Sequence, residues 1–134
     1  MANWPATLIF MRREWRFLIF GCLLMFWTSP GQTYLISLFG DVLRLEFKLS
    51  HSQFGGIYTS ATLVSAITLW SAGKLVDRLK LIHLAWWVCF AMAICATAFS
   101  QVQGPISLFF GILLVRFLGQ GMMAHIATTA MARH

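Results

Sequence analysis

Acidic side chains are nearly missing from this chain. There are four in 134 residues, Glu14, Asp41, Glu46 and Asp77, and none falls in the core of an apolar run. Charge of either sign makes up only 10% of the chain, against roughly 25% in a soluble domain. That is too little polar surface to cover a water-facing globule. Cysteine is scarce too: Cys22, Cys89 and Cys95 are odd in number and all lie within apolar runs. This argues against a disulfide framework, and the three read as small apolar side chains. No Cys-x-x-Cys or His-rich spacing offers a metal site, and no Gly-x-x-x-x-Gly-Lys-Ser/Thr loop offers a phosphate cradle. With no catalytic dyad either, no enzyme activity and no cofactor are expected.

What fills the chain is hydrophobic, 59% of it. Four long apolar runs stand at approximately 17–38, 54–76, 81–100 and 106–129. A helix needs about 20 residues to cross a hydrocarbon layer of roughly 30 Å. Inside lipid the backbone must satisfy its own hydrogen bonds, so such runs can only be helices. The expected fold class is therefore all-α: a polytopic transmembrane bundle of four spans. Arg12, Arg13 and Arg16 precede the first run as they would in a signal peptide. That run continues to about Leu38 without a small-residue cleavage site, so it reads as a retained span. Ser29-Pro30-Gly31-Gln32 interrupts it, which predicts a kink or local unwinding. Small residues recur in the second run (Ser60, Ala61, Ser65, Ala66) and the third (Ala91, Cys95, Ala98), and they permit close helix contact.

The connections carry the charges. Residues 39–53 read as a polar loop with Asp41, Arg44, Glu46, Lys48 and His51, residues 74–80 as a tight basic turn, and residues 101–105 as an uncharged one. Arg12, Arg13, Arg16, Lys74, Arg78, Lys80 and Arg133 fall on one side of such a bundle, and only Arg44 and Lys48 on the other. By the positive-inside rule the N-terminus, the 74–80 turn and the C-terminus are cytoplasmic. The six tryptophans mostly lie toward run ends, as interfacial aromatics do. The net charge of +6 is spread over run ends rather than gathered into one patch with exposed aromatics, so no nucleic-acid partner is expected. The expected partner is the bilayer, and the expected location is the cell (inner or plasma) membrane, multi-pass.

Arg116 is the one charge in the middle of a run. Placing arginine there costs about 2.5–3.5 kcal/mol on insertion scales, and such residues face a bundle interior or a wet cavity. Gln120, four residues on, shares its helical face, and Met123 and Ala127 would continue that face. Two readings stand: Arg116 binds an anionic solute or couples to a moving proton, or it ties helices together through carbonyls or a neighbouring carboxylate. Gln32, Thr33 and Tyr34 form a second polar cluster beside Pro30. They are either hydrogen-bonding groups on a solute path or side chains that re-satisfy backbone freed by the proline. His125 reads as a packing or interfacial residue before a proton relay, and His83 as interfacial.

Residues Gly73-Lys74-Leu75-Val76-Asp77-Arg78-Leu79-Lys80 resemble the signature that the major facilitator superfamily carries between its second and third helices. Gly73, Leu75, Asp77 and Arg78 match the Gly-x-x-x-Asp-Arg half. The second half departs, with Lys80 and Leu81 where the family has glycine and then basic residues. Arg116-Phe117-Leu118-Gly119-Gln120-Gly121 is similar to the family's arginine and Gly/Gln-rich stretch in its fourth helix. The resemblance implies a secondary active transporter working by alternating access, with twelve helices in two six-helix halves. This chain would be part of the first half, a fragment whose remaining helices are absent and which would not transport alone. Gln32, Tyr34, Arg116 and Gln120 become candidate cavity residues, and Gly73, Asp77 and Arg78 the cytoplasmic gate motif. The implied partner is a small solute, anionic or carboxylate by virtue of Arg116, moved with a coupling ion such as the proton. The competing readings are a four-helix small multidrug exporter acting as a dimer, which would depend on Glu14, and a non-transporting membrane scaffold subunit that uses Arg116 to hold a partner.

Overall fold

The computed structural model describes residues 4–132, without the side chains of residues 4–7, Leu75, Asp77 and Arg78. Among them every regular element is helical. A first helix, α1 (Trp4–Arg13), ends on Arg12 and Arg13. α2 (Trp15–Trp27) follows after a break at Glu14. The interruption expected at Pro30 takes the form of a single 3-10 turn, Ser29–Gly31, with an extended Gln32 behind it. Thr28 closes α2 by donating its hydroxyl to the Met25 carbonyl at 2.7 Å. The chain then restarts as α3 (Thr33–Leu38).

The stretch 39–53 is not the open polar loop its composition suggests. Residues Gly40–Glu46 form a short helix, α4. Asp41 and Arg44 pair across one turn at 2.6 Å, a spacing that brings side chains together on a helix surface. α4 ends in a Schellman arrangement. Lys48 takes a left-handed φ of 52°, the Leu49 N–H reaches the Arg44 carbonyl at 2.8 Å, and the Lys48 N–H reaches that of Leu45 at 3.3 Å. Two orphan carbonyls of α4 are thereby satisfied. A capping box starts the next helix: the Gln53 N–H donates to Ser50 Oγ at 3.1 Å, and the Ser50 N–H donates to Gln53 Oε1 at 2.8 Å.

α5 runs over His51–Arg78, 28 residues, or about 42 Å at 1.5 Å per residue. Leu79 and Lys80 turn the chain into α6 (Leu81–Phe99), and 100–104 lead to α7 (Pro105–Val115). The Ser107 hydroxyl starts α7 by accepting the Gly104 N–H at 3.1 Å. α7 passes without a break into a π-helical segment, Arg116–Met123, and then α8 (Ala124–Ala132). Residues Pro105–Ala132 thus form one 28-residue rod, against which α2, α5 and α6 all pack.

The core follows that rod in two clusters. One gathers Leu108 and Ile112 with Ile36 and Ala61. The other gathers Met122, Met123 and Ile126 with Leu24, Val76 and Val88. Arg116 lies on the rod between them. Two helices are long and apolar enough to cross a membrane: Leu81–Phe99, with mean hydropathy 1.9, and Pro105–Ala132, with 1.7. Only 22% of the apolar window of α6 is buried, where a soluble core helix would be mostly covered. Ile82, Trp86, Trp87, Phe90 and Ile94 project outward from it, an apolar face of the size that marks contact with lipid or another protein.

Candidate functional site

The site is built where two interruptions of regular α-helix meet. The 3-10 turn at Pro30 brings Gly31 against the π segment at Gly119, backbone to backbone. A Cβ on Gly31 would stand 2.8 Å from the Gln120 N and 3.1 Å from the Gly119 Cα. A π turn places one extra residue in each turn and recurs at functional sites. Here it moves the register. Gln120 and Gly121 both fall beneath Arg116 on one cavity wall. Met123 and Ala127, expected to extend the face of Arg116, are fully buried in the apolar core.

Arg116 is 7% exposed. Its Nη1 donates to the Tyr58 hydroxyl of α5 and, at 3.2 Å, to Thr33 Oγ1 of α3. The Tyr58 hydroxyl in turn donates to Thr33 Oγ1 at 3.0 Å. The guanidinium carbon also lies 5.0 Å from the centre of the Tyr58 ring, within cation–π range. Among the described residues no carboxylate pairs with Arg116; Asp41 goes to Arg44, and Arg13 and Glu14 lie 3.4 Å apart. Nε and Nη2 hold no bond to protein among the described residues. Hydroxyl partners and a ring face each contribute on the order of 1 kcal/mol or more to a buried cation, but they leave its charge uncompensated.

Beside Arg116 lies a cavity of about 280 Å³, open to one side, between α5 and the π segment. Thr62, Ser65 and Leu69 line it from α5, and Arg116, Gln120 and Gly121 from the rod. Tyr58, Thr62, Ser65 and Leu69 are spaced by four, three and four residues, so one face of α5 carries them all. The Thr62 hydroxyl donates back to the Tyr58 carbonyl at 2.8 Å. Ser65 is 6% exposed, and its hydroxyl makes no hydrogen bond to protein among the described residues.

The sequence-predicted residues divide. Arg116 and Gln120 share this cavity. Gln32 lies in the extended link after the 3-10 turn and donates to Thr28 Oγ1 at 3.3 Å, which ties it to the end of α2. Tyr34 is 62% exposed and points outward from α3, away from the cavity. Gly73 sits on α5 facing α8, where a Cβ would come within 3.5 Å of His125 Nε2. The side chains of Asp77 and Arg78, and all of Arg133, lie outside the described residues. Tyr58 and Ser65 are the contributors that composition does not single out. Their signal is present as hydroxyl side chains recurring on one face of the second apolar run. Among the described residues no group of three or more potential metal ligands gathers.

Comparison with protein-family models, curated proteins and solved structures gives no match.

Proposed function

We propose that this chain is a multi-pass protein of the cell membrane, and that it binds a small anionic solute at Arg116 as part of a secondary active transporter of the major facilitator type. Four spans are proposed: α2 with α3, α5, α6, and the rod Pro105–Ala132. The basic segment 74–80, which is the end of α5 and the turn after it, lies at the cytoplasmic face and the segment around Lys48 on the other side. Gly73, Asp77 and Arg78 form the cytoplasmic gate. A solute or ion gradient, the proton being the candidate ion, supplies the drive.

The observation that carries this reading is the company Arg116 keeps. A guanidinium fixed only for helix packing would be matched by a carboxylate or capped by carbonyls. This one is matched by two neutral hydroxyls and a ring face, which orient it and leave its charge for a visitor. The adjacent cavity, with Gln120 on its wall, supplies the space. Polar walls inside a span face a bundle interior or water rather than lipid, so the open side of the cavity is the solute path. An arginine with an unused N–H edge recognises carboxylate or phosphate bidentately.

The test is anion-dependent stabilisation of the purified chain in lipid nanodiscs. A small carboxylate at saturating concentration should raise the unfolding temperature, since a ligand that binds only the folded state stabilises it. Arg116→Gln should abolish that rise. A rise that survives in Arg116→Gln would overturn the reading.

A further inference from the structure

The cavity beside Arg116 carries more than a charge, and its wall chemistry narrows the class of solute. Resting on the reading of Arg116 as an anion-binding group, we infer that the site takes a singly charged monocarboxylate that bears one further hydrogen-bonding group and a short apolar body. Three features define this class. Arg116 alone among the lining residues is charged. One guanidinium neutralises one carboxylate. A second negative charge brought in with it would find no cationic partner on these walls, which disfavours it. The site therefore selects against dicarboxylates and phosphate dianions.

The second feature is Ser65. It is nine-tenths buried on the α5 wall, and its hydroxyl is unpartnered by protein among the described residues. Among the described residues the one fully enclosed side-chain polar atom without a partner is Arg44 Nε, so the Ser65 hydroxyl is not sealed off and can be reached from the cavity that it lines. A solute hydroxyl or carbonyl arriving with the carboxylate would satisfy it, and Gln120 on the opposite wall offers a second amide contact. The third feature is the remaining lining. Ala66, Leu69 and Gly121 add apolar lining, and the cavity's volume of about 280 Å³ exceeds what an inorganic ion fills, a water occupying roughly 30 Å³ of liquid. It lies at the small end of ligand pockets, which run from about 300 Å³ upward. Together these describe a solute of a few carbons: acid at one end, hydroxyl or carbonyl beside it, methyl or methylene beyond.

Calorimetric binding to the full chain in nanodiscs tests this with four probes: lactate, propionate, succinate and lactamide. Lactate should bind best at neutral pH, at least about tenfold tighter than succinate and lactamide. Ser65→Ala should weaken lactate about five- to tenfold, the usual effect of one lost hydrogen bond, and leave propionate within about twofold. Serine to alanine is a small change on a wall that keeps its shape, and near-identical circular dichroism would confirm the fold. Succinate binding as tightly as lactate, or Ser65→Ala weakening both acids equally, overturns the inference. If succinate binds best and Arg116→Gln abolishes it, the anion reading survives while the single-charge assignment falls. If no probe binds the wild-type chain, both fall together.

Discussion

Gly31 and Gly119 meet through their backbones, and a Cβ on Gly119 would stand 3.0 Å from both the N and the Cα of Gly31. This contact joins the 3-10 turn of the first apolar run to the π segment of the last. It brings Thr33, two residues past Gly31, within reach of Arg116. Gly31→Ala and Gly119→Ala should each destabilise the bundle by about 2–3 kcal/mol, because the obstructing atoms include backbone that cannot turn aside as a side chain would. At Gly55 and Gly56 a Cβ would meet nothing within 4 Å; alanine there should add about 0.5–1 kcal/mol through helix propensity. Thermal unfolding in one detergent, followed by circular dichroism, checks all four variants. Equal effects at the two pairs would mean that the backbone crossing does not form.

Arg116 and Tyr58 lead to a second, asymmetric expectation. Tyr58→Phe removes an acceptor from a buried cation and should cost about 1–3 kcal/mol. Arg116→Leu removes the cation itself. The Tyr58 and Thr33 hydroxyls it leaves still bond each other at 3.0 Å, so no buried donor is orphaned, and the unfavourable insertion of arginine is relieved. Arg116→Leu should therefore be neutral or stabilising by about 1 kcal/mol while solute binding is lost. Thermal unfolding and anion titration of the same two proteins separate these effects. Strong destabilisation by Arg116→Leu would mark the residue as a structural tie.

The all-helical class is legible in the sequence because continuous apolar runs leave the backbone no other way to satisfy itself. Arg116 is legible as the one charge within such a run, and the break at Pro30 because proline lacks a donor. Tyr58 is not, since a tyrosine within an apolar run reads as lipid-facing until a partner on a distant helix is known. The π segment is hidden for a similar reason. Nothing in Arg116-Phe117-Leu118-Gly119-Gln120-Gly121 departs from α-helical patterning, and the close approach of Gly31 to Gly119 is a contact between distant segments. α4 is masked by its charges, which outweigh Val42, Leu43 and Leu45 in composition, while a Schellman ending and a capping box together hold the segment in a helix.

Gly73 faces His125 at an ordinary van der Waals distance, 3.5 Å from a Cβ to Nε2. Alanine therefore fits without displacement, and Gly73→Ala should raise stability by about 0.5–1 kcal/mol through helix propensity, as at Gly55 and Gly56. Leucine must push the imidazole aside and should destabilise by about 1–3 kcal/mol. Thermal unfolding of the two variants is the check. A large loss with alanine would show that α5 and α8 pack closer than this contact.

Lys48 holds a left-handed conformation, φ 52°, that strains any residue with a Cβ by about 1 kcal/mol and suits glycine. Lys48→Gly should raise stability by up to about 1 kcal/mol, as read from the denaturation midpoint. A drop would mean that the Schellman turn between α4 and α5 is not populated.

α5 separates Lys48 from Lys80 by a helix of 28 residues, about 42 Å long, which exceeds the roughly 30 Å of hydrocarbon. If α5 spans the bilayer, the two positions face opposite compartments, with Lys80 on the cytoplasmic side where basic residues concentrate. In a background lacking Cys22, Cys89 and Cys95, Lys48→Cys should react with an impermeant maleimide in intact cells. Lys80→Cys should react only after the membrane is opened. Both are exposed in the fold, so neither would be silent for want of access from its own side. Labelling of both in intact cells, or of neither until lysis, would place them in one compartment. α5 would then lie along or outside the membrane, and the cavity at Arg116 could not belong to a path across it.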